Sequence, residues 1–275
     1  MSQCRSDFLI DLYPHSTALC AYTPFREVSM NPPRSPVTAI AARIFAAAIL
    51  VVVLMGVPMI GRWVANLFRY ETIDPDGAFA WFSVHHIVQA AVVLLAIALI
   101  RPVRPIDFHL GLGNREAGLR YLRRFLPFFA LYTAGAFITV IAIGNFQPFQ
   151  FPMTARNVVG YLGFQLLLSG PSEEIIFRAF AITLFARWVT ARRLHPRISL
   201  ATIFAAVVFG LAHVYITFNP LNATWSTTQV IYATALGYFY GDCYEQSGSV
   251  VYPMIMHSYT NVLMVGVTIV VSLFV

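Results

Sequence analysis

Five long apolar stretches constrain what this 275-residue chain can fold into more than any other feature. An α-helix rises about 1.5 Å per residue, so about 20 residues cross the 30 Å of hydrocarbon in a bilayer. The stretches are near or above that length, and only 11% of the residues are charged, against about a quarter in soluble domains. These features predict an all-α, polytopic transmembrane helix bundle. The stretches cover 40–64, 84–100, 125–143, 200–216 and 250–275.

The apolar runs divide the chain into a tail and about seven spans. The tail, 1–36, has no strong periodicity and is expected to be cytoplasmic and poorly ordered; Met1 and Met30 are both candidate first residues. N-terminal transmembrane spans are expected within 37–156, and a second transmembrane unit within 157–275. The seven predicted spans cover about 38–66, 80–100, 125–144, 157–189, 198–216, 227–245 and 250–273.

The basic residues indicate how the bundle is oriented. All 18 are Arg, and they concentrate in the segments 101–124 and 187–197, whereas 145–156 and 217–226 contain only Arg156. Because basic loops stay on the cytoplasmic side, seven spans with a cytoplasmic N-terminus fit this distribution. Positive charge at span ends needs no nucleic-acid partner, and we expect none. The Arg-only, Ala-rich composition is typical of a GC-rich bacterium, which predicts the inner (cytoplasmic) membrane.

Three charged residues fall within six positions of the fourth predicted span. Each would cost about 2.5–3.5 kcal/mol at the bilayer centre if nothing compensated it. Glu174 and Arg178 are spaced i, i+4 and can pair on one helix face. Glu173 lies about 100° around the helix and has no partner within its own span. Pro171 removes a backbone hydrogen bond just before it, and a kink there would make room for water. Glu173 therefore needs a functional explanation.

Polar residues in two later spans supply candidates for the same chemistry. His213 follows Phe209 by four residues, and His257 and Asn261 are one helical turn apart. A lone His is usually a packing residue, and hydrogen bonds between helices could explain the His257–Asn261 pair. The joint occurrence with Glu173 is harder to explain by packing alone. By contrast, His85 and His86 stand beside Trp81 and Phe82, which is typical of an interfacial aromatic belt.

These polar residues are sufficient for amide hydrolysis without a Ser or Cys nucleophile. A Glu with a His can hold and deprotonate water, and a His–Asn pair can donate hydrogen bonds to an oxyanion. Alternatively, Glu173, His213 and His257 could ligate a divalent metal such as zinc that activates the water. The sequence has no His-Glu-x-x-His motif. Residue types alone leave open whether a metal takes part or no cofactor is needed.

Three short motifs in this order resemble the CPBP family, the CAAX-processing and bacteriocin-processing intramembrane endopeptidases. They are Glu173-Glu174-x-x-x-Arg178, Phe209-x-x-x-His213 and His257-x-x-x-Asn261, and the resemblance covers about 157–266. It implies that Glu173 and His213 activate water and that His257 and Asn261 stabilise the oxyanion. It also implies that Glu174 and Arg178 orient the site. The expected substrate is a membrane-embedded or lipidated peptide, and 157–275 becomes the expected catalytic core.

Two other classes of function are compatible with the same residues. Buried ionisable groups also serve proton- or cation-coupled transporters, in which Glu173, His213 and His257 would form the pathway. Such transporters usually contain inverted repeats, and the sequence shows none. A catalytically idle immunity or scaffold protein would retain the same fold and motifs.

Overall fold

The computed structural model describes residues 36–218 and 220–274, and seven helical segments make up most of this part of the chain. The tail predicted for 1–36, with Met1 and Met30, lies outside the described residues apart from Pro36. The elements are α1 (Pro36–Ala65), α2 (Ala80–Val103), α3 (Arg115–Ala142), a central helix (155–188), β1 (Arg193–His195), β2 (Ile198–Ser199), α7 (Leu200–Leu211), β3 (Tyr215–Phe218), β4 (Leu221–Thr224), α8 (Thr227–Ser247) and α9 (Val251–Ser272).

Two π-helical segments interrupt the α-helical hydrogen bonding of the central helix. It consists of α4 (Ala155–Phe164), a first π-helical segment (Gln165–Ser169), α5 (Gly170–Glu174), a second π-helical segment (Ile175–Ile182) and α6 (Thr183–Trp188). π-helical turns are rare and occur frequently at functional sites. Here they bracket the segment that carries both glutamates.

Pro171 accounts for part of the first irregularity. In a π-helical register the Leu166 carbonyl would accept a hydrogen bond from residue 171, but proline has no N–H. The hydroxyl of Ser258 on α9 donates to that carbonyl instead, at 2.7 Å. Gly170 lets the two helices approach, because a Cβ there would lie 2.8 Å from the Ser258 backbone nitrogen. The local break predicted at Pro171 is therefore a register change stabilised by α9.

The fifth predicted span, 198–216, is wrong at its C-terminal end. α7 begins after Ser199, whose hydroxyl accepts from the Thr202 amide, and it ends at Leu211. At 1.5 Å per residue, these 12 residues extend about 18 Å, which is less than a bilayer core. The following residues form β3, paired antiparallel with β4. They are β-branched and aromatic types that favour strands, and their apolar character made them resemble the end of a span.

Four helices of the described chain, α1, α2, α3 and α9, are long and apolar enough to cross a membrane. Their large outward-facing side chains, such as Ile44, Leu99 and Leu131, are exposed in the isolated bundle and fit a lipid environment. The protein is a multi-pass membrane protein with an all-α bundle, to which the structure adds two short hairpins. The predicted number of about seven spans is not confirmed.

The interior contains two apolar clusters. The first surrounds the second π-helical segment and includes Ile176 and Phe209; the second joins α3, α8 and α9 and includes Phe125 and Tyr240. α7 packs closely on α8 at Gly237, where a Cβ would lie 3.0 Å from the Phe209 ring. The absence of a side chain at Gly237 therefore allows the two helices to approach closely. The polar site lies where the two clusters meet.

Candidate active site

Glu174 and Arg178 form a completely buried ion pair on the central helix. The Arg178 Nε atom lies 3.0 Å from Glu174 Oε2, and neither side chain is exposed. The other carboxylate oxygen, Oε1, accepts a 2.7 Å hydrogen bond from Nδ1 of His257 on α9. A neutral His257 therefore has its proton on Nδ1 and its lone pair on Nε2. The pairing predicted from the i, i+4 spacing is confirmed, and Glu174 also orients His257.

Aromatic rings from both clusters enclose the Arg178 guanidinium. Its Cζ lies 4.6 Å from the centre of the Phe209 ring and 5.2 Å from that of Tyr240. A guanidinium over ring faces gains a cation–π attraction that strengthens when water is excluded. Nη2 also donates to the Gly237 carbonyl at 3.2 Å. These contacts stabilise the charge that holds Glu174 in place.

Glu173 lies between two imidazole rings and forms no comparable ion pair. Its Oε2 atom is 3.7 Å from Nε2 of His257, and its Oε1 atom is 3.9 Å from Nε2 of His86 on α2. Its side chain is 19% exposed, whereas that of Glu174 is fully buried. The two adjacent carboxylates are thus in different environments: one is neutralised by an arginine, and the other is accessible and faces histidines.

His86 was misassigned from the sequence. An interfacial aromatic position was expected, yet His86 is 8% exposed and hydrogen-bonded through Nδ1 to the Ser172 hydroxyl at 2.7 Å. His85, its neighbour, does stack on Trp81 with ring centres 5.2 Å apart, as a belt residue would. The sequence did contain a signal for this difference. Adjacent residues on a helix face different sides, and the polar Gln89 lies one turn from His86 on the same face.

The remaining predicted site residues, His213 and Asn261, contact Phe209 and Ser169 respectively. The His213 ring packs edge-on against Phe209, with centres 5.1 Å apart, and its Nδ1 lies 2.9 Å from the Phe209 carbonyl. Phe209 in turn contacts the His257 ring, with centres 5.7 Å apart. The Asn261 amide nitrogen donates to the Ser169 hydroxyl at 3.1 Å, one turn along α9 from His257. The structure brings Glu173, Glu174, Arg178, Phe209 and His257 into direct contact and joins His213 through Phe209.

The donor geometry does not match a preformed metal centre. Among the described residues, no group of three or more His, Cys, Asp or Glu side chains is arranged to hold a metal ion. This includes Glu173, His213 and His257, the three candidate ligands from the sequence. We therefore derive no catalytic step through a metal.

An apolar groove lies on the two helices that carry Glu173 and His257. It encloses about 830 Å³ between the central helix and α9 and is lined by side chains such as Leu167, Val262 and Leu263. Pro171, two residues before Glu173, and Ser258, next to His257, also line it. The groove is thus suited to an apolar chain and lies on the same two helices as the glutamates, His257 and Asn261.

Comparison with protein families is consistent with this arrangement. Residues 155–263 match the family model of the Rce1-like type II CAAX prenyl endopeptidases. The matched segment contains the glutamates of the central helix, both histidines of the predicted motifs and Asn261. The match to a peptidase family does not favour a transporter. Comparison with curated proteins and with solved structures gives no significant match. The segment 155–263 is thus identified as an Rce1-like type II CAAX prenyl endopeptidase domain, which agrees with the CPBP family that the three sequence motifs resemble.

Proposed function

We propose that this protein is an intramembrane endopeptidase that hydrolyses a peptide bond in a lipidated, membrane-associated peptide. The observation that carries the proposal is the position of Glu173, accessible and flanked by imidazoles, beside a second glutamate neutralised by Arg178. Two carboxylates held in different environments are typical of enzymes that assign them different roles. Glu173 acts as the general base, and Glu174 orients His257.

Water activation uses Glu173 together with His213. The Glu173 carboxylate accepts a proton from water as the oxygen attacks the peptide carbonyl carbon. His213 donates from Nδ1 to the Phe209 carbonyl, so its neutral ring has the lone pair on Nε2 and can accept the second water hydrogen. Attack gives a tetrahedral intermediate with a negative oxygen.

Collapse of the intermediate requires hydrogen-bond donors and a proton for the leaving amine. The Asn261 amide donates to the oxyanion. The proton taken by Glu173 passes to His257 Nε2, 3.7 Å away, and the Glu174 carboxylate at Nδ1 stabilises the resulting imidazolium. The C–N bond then breaks, the amine receives this proton, and the carboxyl product leaves with the water oxygen.

The apolar groove supports a lipid chain as part of the substrate. It includes Pro171, two residues before Glu173, and Ser258, one residue after His257, and it extends along α9 from Met254 to Val270. An isoprenoid or acyl chain in this groove would anchor the substrate along α9, the helix that carries His257 and Asn261.

If the substrate is lipidated, cleavage should depend on the lipid group of the peptide. The purified protein in lipid vesicles should cleave a farnesylated CAAX-type peptide at one bond, as measured by mass spectrometry, and should cleave the same peptide without the chain much more slowly. Metal analysis and chelation of the same sample test metal dependence. Equal cleavage of the two peptides would contradict the role of the groove. The proposed function itself would be contradicted if neither peptide were cleaved, or if Glu173→Gln cleaved as fast as the wild type.

Asn261→Ala is expected to lower kcat about 10²–10³-fold with little change in KM, as for loss of one oxyanion donor. The effect is on the transition state because the amide contacts Ser169 in the free protein and the oxyanion only during reaction. Thr268→Val on the same helix removes a hydroxyl that donates to the Met264 carbonyl within α9, and it serves as the control. A kcat for Asn261→Ala close to that of Thr268→Val would rule out the oxyanion role.

A further inference from the structure

We infer that His86 on α2 is a positioning residue for Glu173, donating a hydrogen bond from Nε2 to the carboxylate that activates water. This inference rests on the proposed endopeptidase function and extends the site beyond the family segment 155–263. It assigns to the N-terminal half of the chain a part in catalysis.

Burial and packing place His86 against the reacting carboxylate. α2 packs on α5 and on both π-helical segments, and the His86 side chain is 10% exposed. Its Nε2 atom lies 3.9 Å from Glu173 Oε1, while Nε2 of His257 lies 3.7 Å from Oε2. The carboxylate is thus approached from both sides by ring nitrogens on different helices. Catalytic hydrogen bonds are often long before substrate binds and shorten in the complex.

The partners of Nδ1 determine which ring nitrogen of His86 carries the proton. The amide nitrogen of Gln89 lies 2.9 Å from Nδ1, and an amide nitrogen can only donate. With the Gln89 amide in this orientation Nδ1 is an acceptor, so a neutral His86 carries its proton on Nε2, the atom that faces Glu173. The Ser172 hydroxyl, 2.7 Å from Nδ1 and immediately before Glu173, ties the ring to the same turn.

The two histidines then have complementary protonation. His257 donates from Nδ1 to Glu174 and presents a lone pair at Nε2 to Glu173. His86 presents an N–H at Nε2 to the other oxygen. One oxygen of Glu173 is held by a donor, and the other is left to take the proton from water and pass it to His257. A hydrogen bond to one oxygen therefore orients the base. A salt bridge would orient it too, but it would lower the basicity of the Glu173 carboxylate.

A pair of variants at position 86 separates this role from packing. In Gln the amide is attached one carbon further out than in Asn, so His86→Gln can offer an N–H near the position of Nε2, whereas His86→Asn can replace only Nδ1. We expect His86→Asn and His86→Phe to lower kcat about 10–100-fold with KM nearly unchanged. His86→Gln should recover most of that loss. The measurement is steady-state cleavage of the farnesylated peptide, with Tm recorded for each variant.

His85→Phe is the matched control, because His85 precedes His86 on α2 but stacks on Trp81. It should retain wild-type kcat. Suppose that Glu173→Gln is inactive, as the proposed function requires. The inference is then overturned if His86→Gln and His86→Asn lose the same amount of kcat at matched Tm, or if His86→Phe loses none. Activity in Glu173→Gln would instead overturn the proposed function itself.

Discussion

Replacing Glu173 by Gln is expected to lower kcat about 10³–10⁴-fold, the upper range for loss of a general base. Gln has the same shape and still accepts a hydrogen bond, but its amide oxygen does not take a proton from water. KM should change little, because no substrate-binding contact is removed. Stability should also be retained, since Glu173 is partly exposed and its nearest basic atom is 3.7 Å away. The measurement is steady-state cleavage in vesicles together with Tm.

Glu116→Gln provides the control for this prediction. Glu116 is an exposed carboxylate on α3 whose partner is Arg120, at 2.8 Å. Its variant should cleave at the wild-type rate. A Glu173→Gln protein that retained more than a tenth of wild-type kcat would show that Glu173 is not the base.

Arg178→Met is expected to produce the largest loss of stability. Removing one partner of a buried ion pair costs about 3–5 kcal/mol, because the remaining charge has no compensation. Here the remaining charge is Glu174, completely buried 3.0 Å from the missing guanidinium. By the scaling of soluble domains, Tm should fall by about 6 °C or more. Thermal unfolding in detergent, followed by tryptophan fluorescence, measures the shift.

The exposed pair on α3 supplies an internal comparison. Arg120 and Glu116 share the same i, i+4 spacing, but their side chains are 52% and 85% exposed. Arg120→Met should cost only about 0.3–0.5 kcal/mol, as expected for an exposed helix pair. The double variant Glu174→Gln/Arg178→Met removes both buried charges and keeps an acceptor for His257, so it should regain part of the lost stability. Equal Tm shifts in Arg178→Met and Arg120→Met would contradict the prediction.

Local spacing made part of the site predictable. The Glu174–Arg178 pair depends only on two residues one turn apart on a helix, and the structure has it at 3.0 Å. The same geometry predicted that Glu173 has no ion-pair partner on its own helix, because it faces away from Arg178. The catalytic roles of Glu173, His213, His257 and Asn261 remain predictions that the experiments above test.

Contacts between distant helices were not predictable in this way. His86 is hydrogen-bonded to a residue 86 positions away, and nothing in its neighbourhood on α2 indicates that partner. Its flanking aromatic residues instead favoured an interfacial position, which is wrong for the buried His86, whereas His85 does stack on Trp81. Likewise, the strand after α7 resembled the end of a span because apolar, β-branched residues occur in both.

The sequence by itself determined the membrane class, most of the helical segments and the ion pair on the central helix, because hydropathy and i, i+4 spacing are local properties. Tertiary structure alone decided which imidazoles meet Glu173, how the π-helical segments are stabilised by α9, and where the apolar groove opens. Those features depend on how helices far apart in sequence pack, and side-chain patterns along one helix carry no information about its partner.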